Sequence, residues 1–525
     1  MISYTSFAFF ILYFGITFLL YTIMPKKAKW CALLLGSWVF YFISSRGHVL
    51  PLTAATLLVW AAGLGIQGLE NRFRTLRKTV DKPQRKVLKK KYNTYKSLVL
   101  AAGAVSTLGI LLVCKYANFF IDTANTLLRA DWPAADIVQP LGISFYTLQA
   151  VSYLTDVYRG KIEARKNPLR ISLYLSFMLT VVEGPIARYD QLGTALETGN
   201  SFSAQQIVRG VERVAWGLFK KVVIADRAAD FVRHVFDMEN DYTGVVVLAA
   251  ILFYTLQLYC EFSGVMDVMC GLAEMMGITV PENFNRPFFA RTINEFWQRW
   301  HISLGTWLRD YIFYPISLSK PFKKLTKAAR KKHNPYYANL LPTAVALFFV
   351  WFTNGFWHGA GWKYIAYGLY YYVLMMLGLF LEPLFAKLCK ALHINRAGKG
   401  YRLFQTVRTF AIVNVGMCIF RADSLSHAAS LLVSIVTNPN LAALMPGHGN
   451  GLELDLGDYG ILVLGTGVLF LVSLLQEKGV DLRARISRLP FLVKLLGFLA
   501  AGAVIVVFGA YGDGYGVVDL IYANF

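Results

Sequence analysis

Long apolar stretches recur along the chain and are separated by shorter polar segments. They fall near residues 3–23, 29–45, 49–68, 97–128, 136–158, 168–187, 243–278, 338–388, 404–420, 459–476 and 489–510. A bilayer core is crossed by roughly 20 apolar residues in a helix, and several stretches are long enough for two crossings or for a crossing with a re-entrant piece. The pattern therefore predicts an all-α polytopic membrane protein with about eleven transmembrane helices.

One segment between the apolar stretches has an amphipathic pattern. Ser203–Phe236 begins with a capping box of Ser203 and Gln206, and its apolar residues then recur at helical spacing opposite basic residues that include Lys220 and Arg227. A helix with a basic face suits the surface of an anionic membrane. We therefore predict an interfacial helix along the cytoplasmic surface.

Composition and charge support the membrane assignment and give it a direction. The 525 residues are 56% hydrophobic and 16% charged, and the net charge is +22. Most of the excess lies in two basic segments, Glu70–Lys96 and Lys320–Lys332. Because basic loops stay in the cytoplasm, we expect a multi-pass protein of the cytoplasmic membrane, surrounded by lipid, with both termini extracytoplasmic. Basicity that is this local indicates topology rather than nucleic-acid binding.

Ionisable residues within the apolar stretches are candidates for function because they are costly to bury in a bilayer. Glu261 and Asp267 lie in the stretch 243–278, and His358 lies in the glycine-rich segment Asn354–Trp362. An imidazole titrates near neutral pH and can serve as a general base for a hydroxyl. For this segment taken alone, a buried histidine bonded to a backbone carbonyl is the commoner alternative.

A second histidine lies in an unusually aromatic segment. Thr292 caps a predicted helix Ile293–Arg309, in which Trp297 and His301 share one face while Arg299 faces elsewhere. Tryptophans are common at membrane interfaces, and an interfacial position accounts for them. It does not account for a histidine among them, so His301 is the second candidate residue.

The motifs of common soluble enzymes are missing from the sequence. It contains no phosphate-binding GxxxxGK[ST], no GxGxxG after a strand, no HExxH and no GxSxG. We therefore expect neither a metal ion nor a bound cofactor. Nothing of domain size lies outside the apolar stretches, so any soluble chemistry is expected from a partner.

Four segments carry a family resemblance. In order and spacing, PLGISFYTLQAVSYLTDVYRG, GPIARY, PENFNRPFFARTINEFWQRWHISLGTWLRDYIFYP and NGFWHGAGW resemble the membrane-bound O-acyltransferases, especially the bacterial branch with the alginate O-acetyltransferase and teichoic-acid D-alanyl transfer membrane subunits. The resemblance covers about residues 1–420, the expected acyltransferase core, and residues 421–525 are expected to add C-terminal helices that complete the membrane domain. Glu183, in Phe177–Pro185, departs from the Phe-Pro-Gln-Leu-type stretch of related proteins.

The resemblance implies a fold and a set of functional residues. The family fold is a ring of tilted helices around a central funnel or tunnel, with re-entrant and interfacial helices. The histidine of the WHG motif, here His358, is essential for catalysis in that family, and the histidine of the RWHISL motif, here His301, is a second functional position. The residues nearby that we expect to bind substrate are Trp297, Arg299, Trp300, Asn354, Trp357, Glu261 and Asp267.

The resemblance also implies acyl transfer across a membrane. We expect an O-acetyltransferase whose co-substrate is a cytoplasmic acyl thioester, either acetyl-CoA or an acyl carrier protein. The acceptor is a hydroxyl of an extracytoplasmic or cell-surface polysaccharide, reached with an extracytoplasmic acyltransferase- or esterase-like partner protein. D-alanyl transfer from a carrier protein to teichoic acid is the alternative. A transporter is less favoured because the sequence shows no pair of related halves.

Overall fold

The computed structural model describes residues 4–237, 242–332, 334–444 and 455–511. Throughout these ranges the regular structure is helical, with no strand and one isolated bridge between Phe284 and Trp300. The predicted all-α class is confirmed. The described residues form two compact units, one made of residues 4–211 and 269–281 and the other of residues 212–268 and 282–511 without the gaps.

The first unit is built on three long helices. Its helices are α1 (Ile16–Ile23), α2 (Lys29–Ser44), α3 (Leu50–Thr79), α4 (Lys82–Leu128), α5 (Ile143–Arg159), α6 (Pro168–Ser176), α7 (Thr194–Thr198) and the first part of α8 (Ala204–Leu218). In its centre α3, α4 and α5 pack against one another. Gly103 permits this close approach, because a Cβ at that position would lie 2.9 Å from the side chains of Ala62 and Leu154.

The second unit contains the remaining helices and both candidate histidines. Its helices are α9 (Asp226–Asp237), α10 (Val245–Met275), α11 (Ile293–Arg299), α12 (Ile302–Leu308), α13 (Tyr314–Ser317), α14 (Lys320–Lys332), α15 (Pro335–His358), α16 (Trp362–Ala391), α17 (Lys399–Arg421), α18 (Leu425–Thr437), α19 (Leu456–Glu477), α20 (Leu482–Ser487) and α21 (Phe491–Phe508). The chain passes between the units within α8 and again within α10.

Among the described residues, eight helices are long and apolar enough to cross a membrane. They are α3, α4, α10, α15, α16, α17, α19 and α21. Three shorter apolar helical segments accompany them, at Phe9–Ile23, Lys29–Ser44 and Leu425–Thr437. The chain is thus a multi-pass membrane protein, whereas the total of about eleven crossings and the central funnel stay predictions.

The apolar stretch 338–388 forms two helices. α15 ends at His358, Gly359 and Gly361 are extended, and α16 begins at Trp362. His358 is therefore the last residue of a helix, whereas the sequence suggested an ionisable residue deep within an apolar run. The glycines explain the difference, because glycine is a poor helix former and ends helices readily.

Two further apolar stretches are helical only in part. The helix in the stretch 136–158 begins at Ile143, and the helix in the stretch 168–187 ends at Ser176. Non-helical chain follows α6 and is buried, and it includes Glu183, whose exposed fraction is 0%. The residue that departs from the family pattern thus lies in the interior of the first unit.

The predicted amphipathic segment 203–236 is helical with the predicted start. The Ser203 N–H donates to the Gln206 side chain at 2.8 Å, and Ser203 Oγ accepts from the Gln206 N–H at 3.2 Å, so the capping box is confirmed. A π-helical segment, Phe219–Ala225, connects α8 to α9. The predicted position at the cytoplasmic interface stays a prediction.

Three basic residues of this segment point inward, which the sequence pattern did not predict. Lys220, Lys221 and Arg227 are buried. Lys220 donates to Asp267 at 2.7 Å, and Lys221 donates to Glu261 at 3.1 Å. The expectation of an exposed basic face is wrong for Lys220 and Arg227. Lys220 pairs with a carboxylate of the apolar helix α10, and Arg227 pairs with Asp458 of α19, because buried charges need counterions where water is scarce.

The orientation in the membrane can be tested by site-directed labelling. We expect a cysteine at Thr79 or Ala328, both exposed near basic segments, to react with an impermeant maleimide only from the cytoplasmic side. A cysteine at the exposed Asp455 should react only from outside. The parent chain, with its six native cysteines, supplies the background. Labelling of the cysteine at position 79 from outside intact cells would contradict the predicted orientation.

Candidate active site

The predicted helix Ile293–Arg309 is interrupted where its histidine lies. α11 ends before Trp300 and α12 begins after His301. His301 has φ 48° and ψ 50°, in the left-handed region that few side chains adopt. The expectation that Trp297 and His301 share one face of a continuous helix is therefore wrong.

Residues of the polar loop 281–287, which precedes α11, hold this interruption in place. The Asn285 N–H donates to the Arg299 carbonyl at 2.9 Å, and the Ile302 N–H donates to the Asn283 carbonyl at 3.0 Å. These two bonds flank the isolated antiparallel bridge. A strained backbone conformation persists only where its surroundings fix it, and the pairing with the loop does so at His301.

The side chain of Asn283 reaches the same point. It is 1% exposed, and its Oδ1 accepts a hydrogen bond from the Ser303 N–H at 3.0 Å and lies 3.3 Å from His301 Nδ1. Its amide nitrogen donates to Met266 Sδ at 3.4 Å. Asn283 was not among the residues predicted from the sequence, although it lies in one of the four segments that carry the family resemblance.

The two candidate histidines face each other. Their ring centroids are 6.4 Å apart, and the exposed fractions are 2% for His301 and 4% for His358. The indole of Trp357 lies 5.8 Å from the first ring and 5.1 Å from the second. Phe262 packs edge-on against His301 at 4.8 Å. The pair therefore lies in one buried, largely aromatic pocket within the second unit.

The pocket around His358 is completed by residues of α15, α16 and α17. Tyr367 and Phe420 pack against the ring at 5.9 and 5.5 Å, and neither was predicted from the sequence. Asn354, one helical turn before His358, is buried. Its amide nitrogen has no hydrogen-bond partner among the described residues. A polar donor is thus available beside the histidine for an oxygen of a substrate.

Burial sets the charge state of His301, which lies outside the candidate membrane-spanning helices. Desolvation lowers its pKa well below the ordinary value, and the nearby His358 lowers the pKa further. A neutral imidazole at physiological pH follows, and a neutral imidazole can accept a proton or a hydrogen bond. In the described part of the chain, no three His, Cys, Asp or Glu side chains are grouped as metal ligands.

The two predicted tryptophans, Trp297 of α11 and Trp300 directly after it, pack among other aromatic rings of the second unit. The Trp297 ring packs against Trp351 at 5.1 Å and against Tyr371 at 4.9 Å. Trp300 packs against Phe284 of the polar loop at 5.1 Å. The contacts show how both tryptophans are held, and their contact with substrate stays a prediction.

The three predicted charged residues take part in ion pairs. Arg299 contacts Glu477 of α19 at 2.9 Å, and Asp267 contacts Arg213 at 2.9 Å in addition to its lysine. Glu261 contacts Lys221 as described above. These pairs account for the burial of the charges, so a substrate-binding role for them stays a prediction.

A cavity of about 730 Å³ adjoins the pocket within the second unit. Arg213 and Lys220 lie in one wall, α19 and α21 supply a mostly apolar wall, and Asn283 lines the cavity while its side chain meets His301. The cavity therefore approaches the histidine pair from the side of the polar loop. Because its lining combines charged and apolar groups, it suits an amphipathic molecule.

Comparison with known proteins agrees with the resemblance seen in the sequence. Residues 164–330 match the family described as MBOAT, membrane-bound O-acyltransferase family. The chain is 32% identical over 433 residues to a probable alginate O-acetylase of Pseudomonas aeruginosa, an alignment that covers 81% of this chain and 73% of the relative.

Two other relatives carry different names. A peptidoglycan O-acetyltransferase of Helicobacter pylori is 30% identical over 370 residues, which is 66% of each protein. A teichoic acid D-alanyltransferase of Bacillus subtilis is 28% identical over 302 residues, or 56% of this chain and 72% of the relative.

The position of His358 depends on close contact between α15 and α16. A Cβ on Gly368 would lie 2.3 Å from the Trp351 carbonyl oxygen. We expect Gly368→Ala to push the helices apart, lower the melting temperature of the detergent-solubilised protein and reduce its activity. The control is Gly378→Ala on the same helix, where nothing lies within 4 Å. Where space allows, replacement of Gly by Ala in a helix interior stabilises the helix by about 1 kcal/mol. Equal melting temperatures for the two variants would therefore contradict the packing argument.

Proposed function

Because the chain belongs to the membrane-bound O-acyltransferase family, and is therefore a membrane acyltransferase, we propose that it transfers acetyl from a cytoplasmic thioester to hydroxyls of an extracytoplasmic polysaccharide. The observation that carries the proposal is the buried pair of histidines with rings 6.4 Å apart. Each imidazole can handle a proton, and the pocket around them is aromatic and shielded from water.

Acyl transfer from a thioester to a hydroxyl needs a base at the attacking oxygen and an acid at the leaving sulfur. We assign the base to His358. It takes the hydroxyl proton while the oxygen forms a bond to the carbonyl carbon. The carbon–sulfur bond then breaks, and the proton passes to the leaving thiolate. His301 orients a substrate in this scheme, and the amide of Asn354 can donate a hydrogen bond to a substrate oxygen.

The cavity next to Asn283 is the proposed approach of the donor. A thioester such as acetyl-CoA or an acyl carrier protein delivers its acyl group on a long arm, which needs a passage to a buried base. The cavity has charged groups for a phosphate-bearing arm and apolar walls for the chain. In this proposal only the acyl group crosses the membrane, because the charged groups of the carrier are costly to desolvate.

The acceptor side of the proposal rests on the relatives. Proteins named for O-acetylation of alginate and of peptidoglycan are similar over 81% and 66% of this chain. The first name specifies alginate as the acceptor and the second specifies peptidoglycan. We propose a polysaccharide acceptor here as well, with an acyltransferase- or esterase-like partner protein outside the membrane to complete the transfer.

D-alanyl transfer to teichoic acid is the second candidate. The relative from Bacillus subtilis carries that name, and the same pair of histidines could handle either acyl group. An O-acetyl and an O-D-alanyl ester differ in mass, so one analysis of the envelope polymers distinguishes them.

Replacement of His358 tests the assigned base. We expect His358→Gln to lower polymer acylation by about 10²–10⁴-fold, the range for loss of general acid–base catalysis. The variant should keep the melting temperature of the parent protein, because glutamine preserves most of the volume. The measurement is mass spectrometry of ester-linked acyl groups released from envelope polymers of a deletion strain that carries each variant.

The matched control is His427→Gln in α18, a partly exposed histidine far along the chain from both motifs. It should acylate polymers as the parent does. Parent-like acylation by a well-folded His358→Gln variant would refute the assignment of His358 as the base. An unchanged acyl content of the polymers after deletion of the gene would refute the proposed function.

A bulky residue in the cavity tests the proposed donor path. Ala501 of α21 lines the cavity, whereas its neighbour Ala500 is exposed and does not. We expect Ala501→Trp to lower acetyl-CoA-dependent transfer in membrane vesicles by about 10- to 100-fold through misplacement of the donor, and Ala500→Trp to have little effect. Equal rates for the two variants would place the donor elsewhere.

A further inference from the structure

The contacts of Asn283 determine which of its amide atoms faces His301. The Ser303 N–H points at one of them at 3.0 Å, and a backbone N–H can only donate. The atom it meets must therefore be the carbonyl oxygen, Oδ1. The amide nitrogen then faces Met266 Sδ, a weak acceptor, which agrees with this orientation.

The orientation of the amide in turn determines the protonation of the histidine. His301 Nδ1 lies 3.3 Å from the same Oδ1, which can only accept. The hydrogen must then be on Nδ1, and a neutral imidazole with a hydrogen on Nδ1 has its lone pair on Nε2. Burial keeps the ring neutral, as its lowered pKa indicates.

We propose that Asn283 is a positioning residue that holds His301 in the Nδ1–H tautomer, so that Nε2 accepts a hydrogen bond from a second hydroxyl of the sugar acceptor, next to the hydroxyl whose proton passes to His358. The inference rests on the proposed acyl transfer and specifies the substrate that His301 orients. A neutral ring with its lone pair on Nε2 cannot donate from that atom to the oxygen of the thioester carbonyl. His301 thus orients the acceptor, and stabilisation of the acyl oxygen falls to other donors.

The charged side chains around His301 are paired with one another and do not change the assigned tautomer. The ionisable side chains on the elements packed against it include those of Glu261 and Asp267 on α10, Glu282 and Arg286 in the loop, and His358 on α15. Glu261 and Asp267 are paired with lysines. Glu282 is paired with Arg213, and Arg286 with Glu477. The ring of His358 faces His301 directly.

The tautomer can be measured without any assay of activity. The full-length protein, labelled with ¹⁵N-histidine and placed in lipid nanodiscs, gives imidazole nitrogen signals, and those of His301 are identified by their loss in His301→Gln. We expect a protonated Nδ1 and an unprotonated Nε2. Asn283→Leu should abolish this preference, Asn283→Asp should retain it, and Asn285→Leu, at an exposed position in the same loop, should leave it unchanged.

Kinetics in membrane vesicles with acetyl-CoA test the consequence for the reaction. We expect Asn283→Leu to lower kcat by about 10²-fold, in the range for a lost acid–base or orienting group, with the KM for acetyl-CoA unchanged. In Asn283→Asp the carboxylate stabilises the imidazolium and raises the pKa of His301. Because the neutral ring is required, the acid limb of the pH–rate profile should move to higher pH.

Two outcomes would overturn the proposal. One is a protonated Nε2 at His301 in the parent protein, and the other is a pH–rate profile of Asn283→Asp that coincides with the profile of the parent. The nitrogen spectrum of the parent and the pH–rate profile of Asn283→Asp test the proposal even if Asn283→Leu does not fold. A parent protein that shows the expected tautomer but transfers no acyl group would instead contradict the proposed function.

Discussion

A short antiparallel pairing between residues 283–285 and 299–302 determines the geometry of the site. Two backbone hydrogen bonds and the buried Asn283 side chain replace the helical bonds that would continue α11 into α12. Backbone polar groups buried away from water must find partners, so the helix can end here only because the loop supplies them. Without the loop, His301 would follow the helix and its ring would not meet His358.

Charge burial is the second constraint on the unit that holds the site. Glu261 and Asp267 are carboxylates within the apolar helix α10, and both are paired with lysines from one π-helical segment. Removal of one partner from such a pair is costly because it leaves an uncompensated buried charge. The pairs therefore join α10 to the segment beside it, and the cavity lies along this junction, with Lys220 and Asp267 in its wall.

The sequence predicted the class of the fold and the two histidines, but not the way they meet. Apolar stretches of bilayer length and basic segments are local signals, and they sufficed for an all-α membrane protein. The interruption at His301 has no local signal: there is neither glycine nor proline between Trp297 and Ser303, and Thr292 caps what looks like one helix. Its cause is a partner some 18 residues earlier in the chain, and a periodic pattern does not contain such a contact.

The same limit applies to the charged residues. Glu261 and Asp267 were conspicuous because they interrupt an apolar helix, and the sequence could not tell a substrate ligand from an ion pair. Lys220 and Arg227 looked like a solvated face at helical spacing. A π-helical segment changes which residues share a face, and it turned these cations inward. Helical spacing therefore predicted the helix correctly and the direction of its basic residues wrongly.

The short distance between the rings of His301 and His358 favours a different mechanism from the one that chain order alone suggests. Chain order alone would place His301 near the cytoplasm and His358 deeper in the membrane, because the basic helix α14 lies between them. Because the rings are 6.4 Å apart, the proposed mechanism places both imidazoles at one acceptor. Neighbouring hydroxyls of one sugar can meet the two imidazoles at once, so in this proposal no group passes from one histidine to the other. The donor and the acceptor of the proposed reaction then meet in one buried pocket, where the histidines transfer the proton and orient the acceptor.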